Sequence, residues 1–174
     1  MAPEHVSYAG TTSKTLAPGL RLAWLVVPQR LLREFRDAAP ALGERHPSAI
    51  DQLVLADLIE TGGYDRHVRR MRASYRRRRD RVLAAVDPDL VRPGGIAAGL
   101  HLVLQFPPGG PDDATIIRAA KRHSLAIGLL APNWIDPMGR PGGIVVGFAA
   151  PADHAFTPAL AALRATLSDL FDRA

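Results

Sequence analysis

Residues 8–28 read YAGTTSKTLAPGLRLAWLVVP. One lysine, Lys14, stands among small hydroxyl residues ahead of a Pro18-Gly19 turn, and an apolar run follows it. The lysine is conspicuous because the chain writes its 22 basic residues almost entirely as arginine, with only Lys14 and Lys121 as lysine. Arginine stays protonated at any accessible pH, whereas a lysine amine can lose its proton beside another cation and then attack a carbonyl. Lys14 is therefore a candidate nucleophile, and a plain surface lysine is the alternative. The run that follows, residues 20–28, is apolar apart from Arg21 and ends at Pro28, which suits a strand covered on both faces. Such a strand needs neighbours. Only seven residues precede Tyr8, too few to supply them.

At 174 residues, 47% hydrophobic and 22% charged, the chain has ordinary globular composition and room for one good core. It has no cysteine, which removes disulfides and thiolate metal sites from consideration and favours a reducing compartment. The amino end lacks a basic segment followed by an apolar run, and no apolar stretch approaches the ~20 residues of a spanning helix, so a cytoplasmic location is expected. The net charge of +5 is concentrated, with nine arginines between Arg66 and Arg81.

Along the chain, Leu31, Leu32 and Phe35 predict a helix over residues 29–39. Ser48 with Asp51 resembles a capping box that opens a second helix with Ile50, Leu53, Val54 and Leu58 on its apolar face, stopped by Gly62 and Gly63. Residues 64–86 predict a long helix with Val68, Met71, Tyr75 and Val82 in one narrow stripe, and with Arg77 and Arg81 on its wet outer face. A turn is expected at Pro93, Gly94 and Gly95, then a strand over residues 99–106. A helix over residues 112–123 is acidic at its start and basic at its end, as the helix dipole favours. Residues 125–130 and 143–149 read as short strands, and Thr157 with Pro158 as the N-cap and first position of a closing helix. His101 is expected in the core and His123 at the helix end. From Val91 onward the pattern is a compact α+β unit.

The segment SKTLAPGLRLAW, residues 13–24, resembles the cofactor-lysine segment of fold-type I pyridoxal-phosphate enzymes of aminotransferase class I/II. The later run TGGYDRHVRRMRASYRRRRDRV, with GLHLVL after it, looks like the aminotransferase-like domain of MocR-type regulators of the GntR family. The resemblance implies an α/β PLP-dependent transferase fold (fold type I), here the end of the large domain plus the α+β small domain. The implied boundaries are 1–45 for the end of the large domain, 46–88 for interdomain helices and 89–174 for the small domain. It implies pyridoxal 5'-phosphate as cofactor, Lys14 as the lysine that joins it as a Schiff base, and Thr11, Ser13 and Arg21 as phosphate contacts. Arg21 also suits that chemistry physically, since a nearby cation favours the neutral amine and a guanidinium pairs with phosphate. Pro18 and Gly19 would turn the chain so that Lys14 and Arg21 face one site.

Two departures matter. Thr12 stands where the family commonly has an aromatic, and Val145 falls where many transaminases carry the arginine that grips the substrate carboxylate. Arg140, in the loop before, is a substitute at most, with solvation as its ordinary role. The family's aspartate for the pyridine nitrogen, its ring-stacking aromatic and its glycine-rich phosphate loop would all lie upstream of Lys14. The chain is therefore expected to be the carboxyl-terminal part of a longer protein, or a truncated gene product, and inactive alone. The implied partners are a small amino-group substrate or effector, a second copy in a full-length homodimer, and DNA only through an absent upstream domain. The enzyme question stays open, between transamination and effector sensing. A nucleic-acid-binding reading rests on RHVRRMRASYRRRRDR, but its apolar stripe and single aromatic, Tyr75, speak against it. Trp134 and Asp136 fall in a loop where such folds shape the site mouth, an ordinary loop being the alternative. The histidines show no metal-ligand spacing.

Overall fold

The computed structural model describes residues 3–42, 48–96, 99–136 and 138–172. The expected boundary between residues 45 and 46 lies outside them. The chain divides into two compact units, Met1–Arg72 and Ala73–Ala174.

In the first unit, β1 (Tyr8–Thr11) pairs antiparallel with β2 (Ala23–Val26) in the register Tyr8↔Val26 to Thr11↔Ala23. The glycine at position 10 faces Trp24 across this pair. A Cβ there would come within 2.5 Å of the indole, so the ring lies over the strand only because Gly10 has no side chain. The apolar run expected to be covered on both sides is not: Trp24, Leu25 and Val26 are 43%, 50% and 58% exposed. β1 is the only strand paired with β2 among the described residues, so the other edge of β2 has no strand partner there. Helix α1 (Leu32–Ala38) follows, then α2 (Ala49–Glu60), whose N-cap is Ser48, its Oγ accepting from the Asp51 N–H at 3.3 Å as the sequence predicts. Its apolar residues Ile50, Leu53, Val54 and Ile59 are also exposed. Gly62, at φ 68°, ends this segment in the left-handed conformation before α3 (Gly63–Leu83) begins.

The second unit holds a four-stranded antiparallel sheet in the order β3-β4-β6-β5: β3 (Arg92–Gly94), β4 (His101–Gln105), β5 (Gly128–Leu129) and β6 (Gly143–Gly147). Alternation along β4 sends Leu102 and Leu104 into the core. Opposite them on β6 lie Val146 and Ile144, and helices α4 (Asp113–Arg122) and α5 (Asp153–Phe171) contribute Ile116, Ala119, Phe156, Leu163, Leu167 and Leu170 to the same cluster. Each such side chain, fully buried, contributes about 1.5–3 kcal/mol for a large aliphatic or aromatic residue. Val82 on α3 and the following Val86 and Val91 complete the core.

The strand at residues 92–94 was expected as a turn. It is an edge strand, where Pro93 lacks no ladder partner that matters. His101 was expected in the core but starts β4 on the solvent face and is exposed. α5 begins four residues before the expected Thr157 cap, with Ala152 as N-cap and Pro158 inside the helix. Arg78 accounts for that early start. Its Nη1 donates to the carbonyls of Phe148, Ala149 and Pro151 at 3.3, 3.0 and 2.8 Å, and its Nη2 pairs with Asp153 in the first turn. Arg81 is exposed, as expected of the outer face of α3, and it also donates to Thr157 Oγ1 at 2.9 Å and lies 4.8 Å over the Phe156 ring. His123 does end α4 as expected, and its Nε2 reaches Asp169 at 2.8 Å. No helix among the described residues is long and apolar enough to cross a membrane.

Candidate functional site

The lysine turn is the connection between β1 and β2. Thr11, the last residue of β1, caps a short 3-10 turn, Thr12–Lys14, its Oγ1 accepting from the Ser13 N–H at 3.1 Å. The same Oγ1 lies 3.0 Å from Ser13 Oγ and 3.1 Å from the Leu22 carbonyl, and its single hydrogen serves one of them at a time. Thr12 is fully buried and holds the turn to the buried Leu22: its N–H and its Oγ1 reach the Leu22 carbonyl at 3.0 and 3.2 Å. Thr12 thus does mechanical work that spacing alone did not reveal.

The turn closes at the other end through Thr15 and Leu16, whose N–H groups donate to the Thr12 carbonyl at 3.1 and 2.8 Å. A second 3-10 turn, Pro18–Leu20, leads to Arg21, which sits in the left-handed region at φ 53°, ψ 25°. For a residue with a Cβ this costs about 1–2 kcal/mol. The side chains of Lys14 and Arg21 are exposed and, among the described residues, neither has a hydrogen-bond or ion-pair partner. Thr11 thus ends β1, and Ser13, Lys14 and Arg21 lie on the eleven-residue connection that follows it.

Sequence reasoning missed two contributors to this turn. The Tyr64 hydroxyl donates to Thr15 Oγ1 at 3.0 Å, and His67 Nε2 lies 2.8 Å from the Thr15 carbonyl. Both partners are about fifty positions away along the chain, and no local pattern encodes such a contact.

In the second unit, Val145 occupies the middle of β6, paired with Val103 on one side and Gly128 on the other. Arg140 lies 5.5 Å over the Trp134 ring, whose Nε1 donates to the Pro141 carbonyl at 3.2 Å. Arg140 also lines a cleft of about 760 Å³ together with Asp89, Arg92 and Gln105.

No family model matches the chain. Comparison with known proteins finds an uncharacterized HTH-type transcriptional regulator of Bacillus subtilis, YhdI, 36% identical over 136 residues, covering 76% of this chain and 28% of that protein. The probable rhizopine catabolism regulatory protein MocR of Rhizobium meliloti is 31% identical over 144 residues, covering 81% of this chain and 29% of that protein. Among solved structures, the kynurenine aminotransferase of Pyrococcus horikoshii, crystallised with PMP, superposes with a TM-score of 0.80 at 21% identity, covering 98% of this chain and 42% of that one. The fold is thus that of the fold-type I aminotransferases, present in part. The chain belongs to that PLP-dependent aminotransferase-like family, on the branch of the MocR/GntR-type regulators and their aminotransferase relatives. It spans less than a third of the length of the two regulators.

Proposed function

We propose that the chain is the lysine-bearing portion of a domain that binds pyridoxal 5'-phosphate, with Lys14 as the residue that holds the cofactor covalently. The observation that carries this reading is the short segment from Thr11, at the end of β1, to Arg21, in the connection to β2, which presents the Lys14 amine, the Thr11 and Ser13 hydroxyls and the Arg21 guanidinium. The donor set fits the group. Arg21 supplies a fixed positive charge for a dianionic phosphate, and its own side chain is not engaged elsewhere among the described residues. When Thr11 donates to Ser13, the Ser13 hydroxyl keeps its hydrogen for a phosphate oxygen. Lys14 Nζ, once neutral, is the nucleophile toward an aldehyde and afterwards the group that can hold or move a proton beside it. When bound, the cofactor supplies an electron-withdrawing ring that stabilises negative charge next to the amino nitrogen.

The test is borohydride reduction of the cofactor-loaded full-length protein, followed by peptide mapping. The pyridoxyl group is expected on Lys14, and Arg21→Ala is expected to weaken cofactor retention without unfolding the chain. A label on Lys121, or on no lysine of residues 8–28, refutes the reading.

A second reading, effector sensing in a transcriptional regulator, draws support from Val145. It stands where the resemblance puts the carboxylate-gripping arginine, and the relatives with the highest identity quoted above are regulators. On this reading the full-length protein takes a small amino compound as effector, self-associates as a homodimer, and reaches DNA through a separate domain. Single-turnover mixing with a panel of amino acids separates the two: slow or absent conversion supports sensing, and rapid conversion across common amino acids supports a transaminase.

A further inference from the structure

Lys14 lies between two points of attachment. On its amino side Thr12 is tied to Leu22 by both its N–H and its hydroxyl. On its carboxyl side is Thr15, whose hydroxyl hydrogen goes back to the Thr12 carbonyl at 3.3 Å and leaves Oγ1 as an acceptor for Tyr64. The Thr15 carbonyl takes a second bond. A carbonyl only accepts, so His67 carries its proton on Nε2, and its Nδ1 is left facing Arg70 Nη2 at 3.5 Å. Tyr64 and His67 are three residues apart near the start of α3, so they share one helix face, and both are half-buried.

We propose that Tyr64 and His67 are positioning residues for the Lys14 amine, acting through Thr15. This rests on the reading of Lys14 as the cofactor lysine. The Lys14 side chain itself is exposed and unpartnered among the described residues, so the backbone alone sets the point from which it reaches. That backbone is fixed only as far as Thr12 and Thr15 are fixed. Without the Tyr64 and His67 bonds the carboxyl side of the turn keeps only its bonds to Thr12. A displacement of about 1 Å at a reacting group can cost about a hundredfold in rate.

The experiment compares the unaltered protein with Tyr64→Phe, His67→Leu and the double variant. His67→Gln serves as the rescue, because its amide can still donate to the Thr15 carbonyl. Two measurements need no cofactor. Hydrogen exchange at the Thr15 and Leu16 amides is expected to speed up about tenfold in the double variant and to recover in His67→Gln. Trace acetylation of Lys14, read against Lys121 in the same sample, is expected to shift about threefold as the turn that carries the exposed amine loses its two tethers, and again to recover. Protection of the Leu53 and Val54 amides in α2, in the same unit as the turn, should stay constant, which separates a local change from unfolding. If a double variant fails to fold, Tyr64→Phe, which removes one oxygen, carries the comparison alone. Retention of pyridoxal phosphate by the full-length protein is expected to fall about tenfold in His67→Leu and to return in His67→Gln. Unchanged exchange, an unchanged Lys14 to Lys121 ratio, or unchanged retention overturns the proposal. Absence of trapping on Lys14 in the unaltered protein overturns the cofactor reading instead, and the two cofactor-free measurements still decide whether the turn is held.

Discussion

Arg78→Ala tests whether the arginine run is part of the scaffold. The Arg78 side chain is 13% exposed, and its Nη1 serves three carbonyls at 2.8–3.3 Å, so its two hydrogens are shared among Phe148, Ala149 and Pro151. Hydrogen bonds to a charged group contribute about 1.5–3 kcal/mol each. Two effective bonds, with partial access of water to the freed carbonyls, give a loss of about 3–5 kcal/mol on that scale. The pair with Asp153 adds little, because the aspartate side chain is 97% exposed. Stacking of the guanidinium 5.0 Å over Phe156 adds a fraction more. For a unit of about 100 residues, 1 kcal/mol moves the melting point by about 4–8 °C, so a drop of about 15–30 °C is expected. Trp134 reports on this unit alone once Trp24 is changed to phenylalanine, and urea or thermal unfolding followed by its fluorescence is the assay. Arg78→Lys should recover only part of the loss, since an ammonium lacks the planar fork. Arg77, exposed and unpartnered among the described residues, is the control, with an expected change within about 0.5 kcal/mol. Equal midpoints for Arg78→Ala and Arg77→Ala would refute the reasoning.

Gly143→Ala should destabilise the second unit by about 3 kcal/mol or more: its φ is 153°, and a Cβ there would lie 2.3 Å from the Leu104 carbonyl oxygen, which is strand backbone and cannot step aside. A calorimetric melting point within a few degrees of the unaltered chain would count against it. Asp169 receives hydrogen bonds from His123 and Arg122, and these hold its carboxyl below the usual range. Its contribution is therefore complete above the unfolded carboxylate value of about 3.9 and is lost as pH falls through the lower folded value. Asp169→Asn should flatten the stability profile in that acid window, and an unchanged acid slope would show that the pair adds nothing. Changing Arg76 and Arg77 together to glutamine should leave the salt slope of any nucleic-acid binding by the full-length protein unchanged; a fall of about one unit per arginine would place this helix on phosphates.

Where the sequence carried local information, the structure follows it. Ser48 and Asp112 both cap helices, with side-chain oxygens accepting from Asp51 and Thr115 N–H groups three residues on. The 99–106 reading holds because Leu102 and Leu104 alternate with polar or exposed neighbours. Pro93, Gly94 and Gly95 hid β3, since residues that make turns are also tolerated on a sheet edge, and only the pairing with residues 103–105 distinguishes the cases. The early start of α5 depends on Arg78, some 75 positions away, so Thr157-Pro158 looked like the better beginning. At the candidate site, Lys14 stood out because arginine otherwise replaces lysine, and its motif pointed to Thr11, Ser13 and Arg21. Thr12 and Thr15 did not stand out, because a buried threonine and a surface one read alike until the Leu22, Tyr64 and His67 partners are in place.

The same distinction bears on the nine arginines between Arg66 and Arg81. Among the described residues, five of them have partners inside the chain: Arg66 with the Thr61 carbonyl, Arg70 with His67, Arg78 as above, Arg79 with Asp80, and Arg81 with Thr157 and Phe156. That leaves Arg69, Arg72, Arg76 and Arg77 exposed without a partner among the described residues. Three of these, at positions 69, 72 and 76, recur at helical spacing along one face and span about 10 Å of helix. Such a stripe suits phosphate contacts, which position a protein on nucleic acid without reading its sequence. Part of the charge of α3 thus serves the fold, since Arg78 and Arg81 hold the start of α5, while the uncharged Tyr64 and His67 on the same helix hold the turn that carries Lys14.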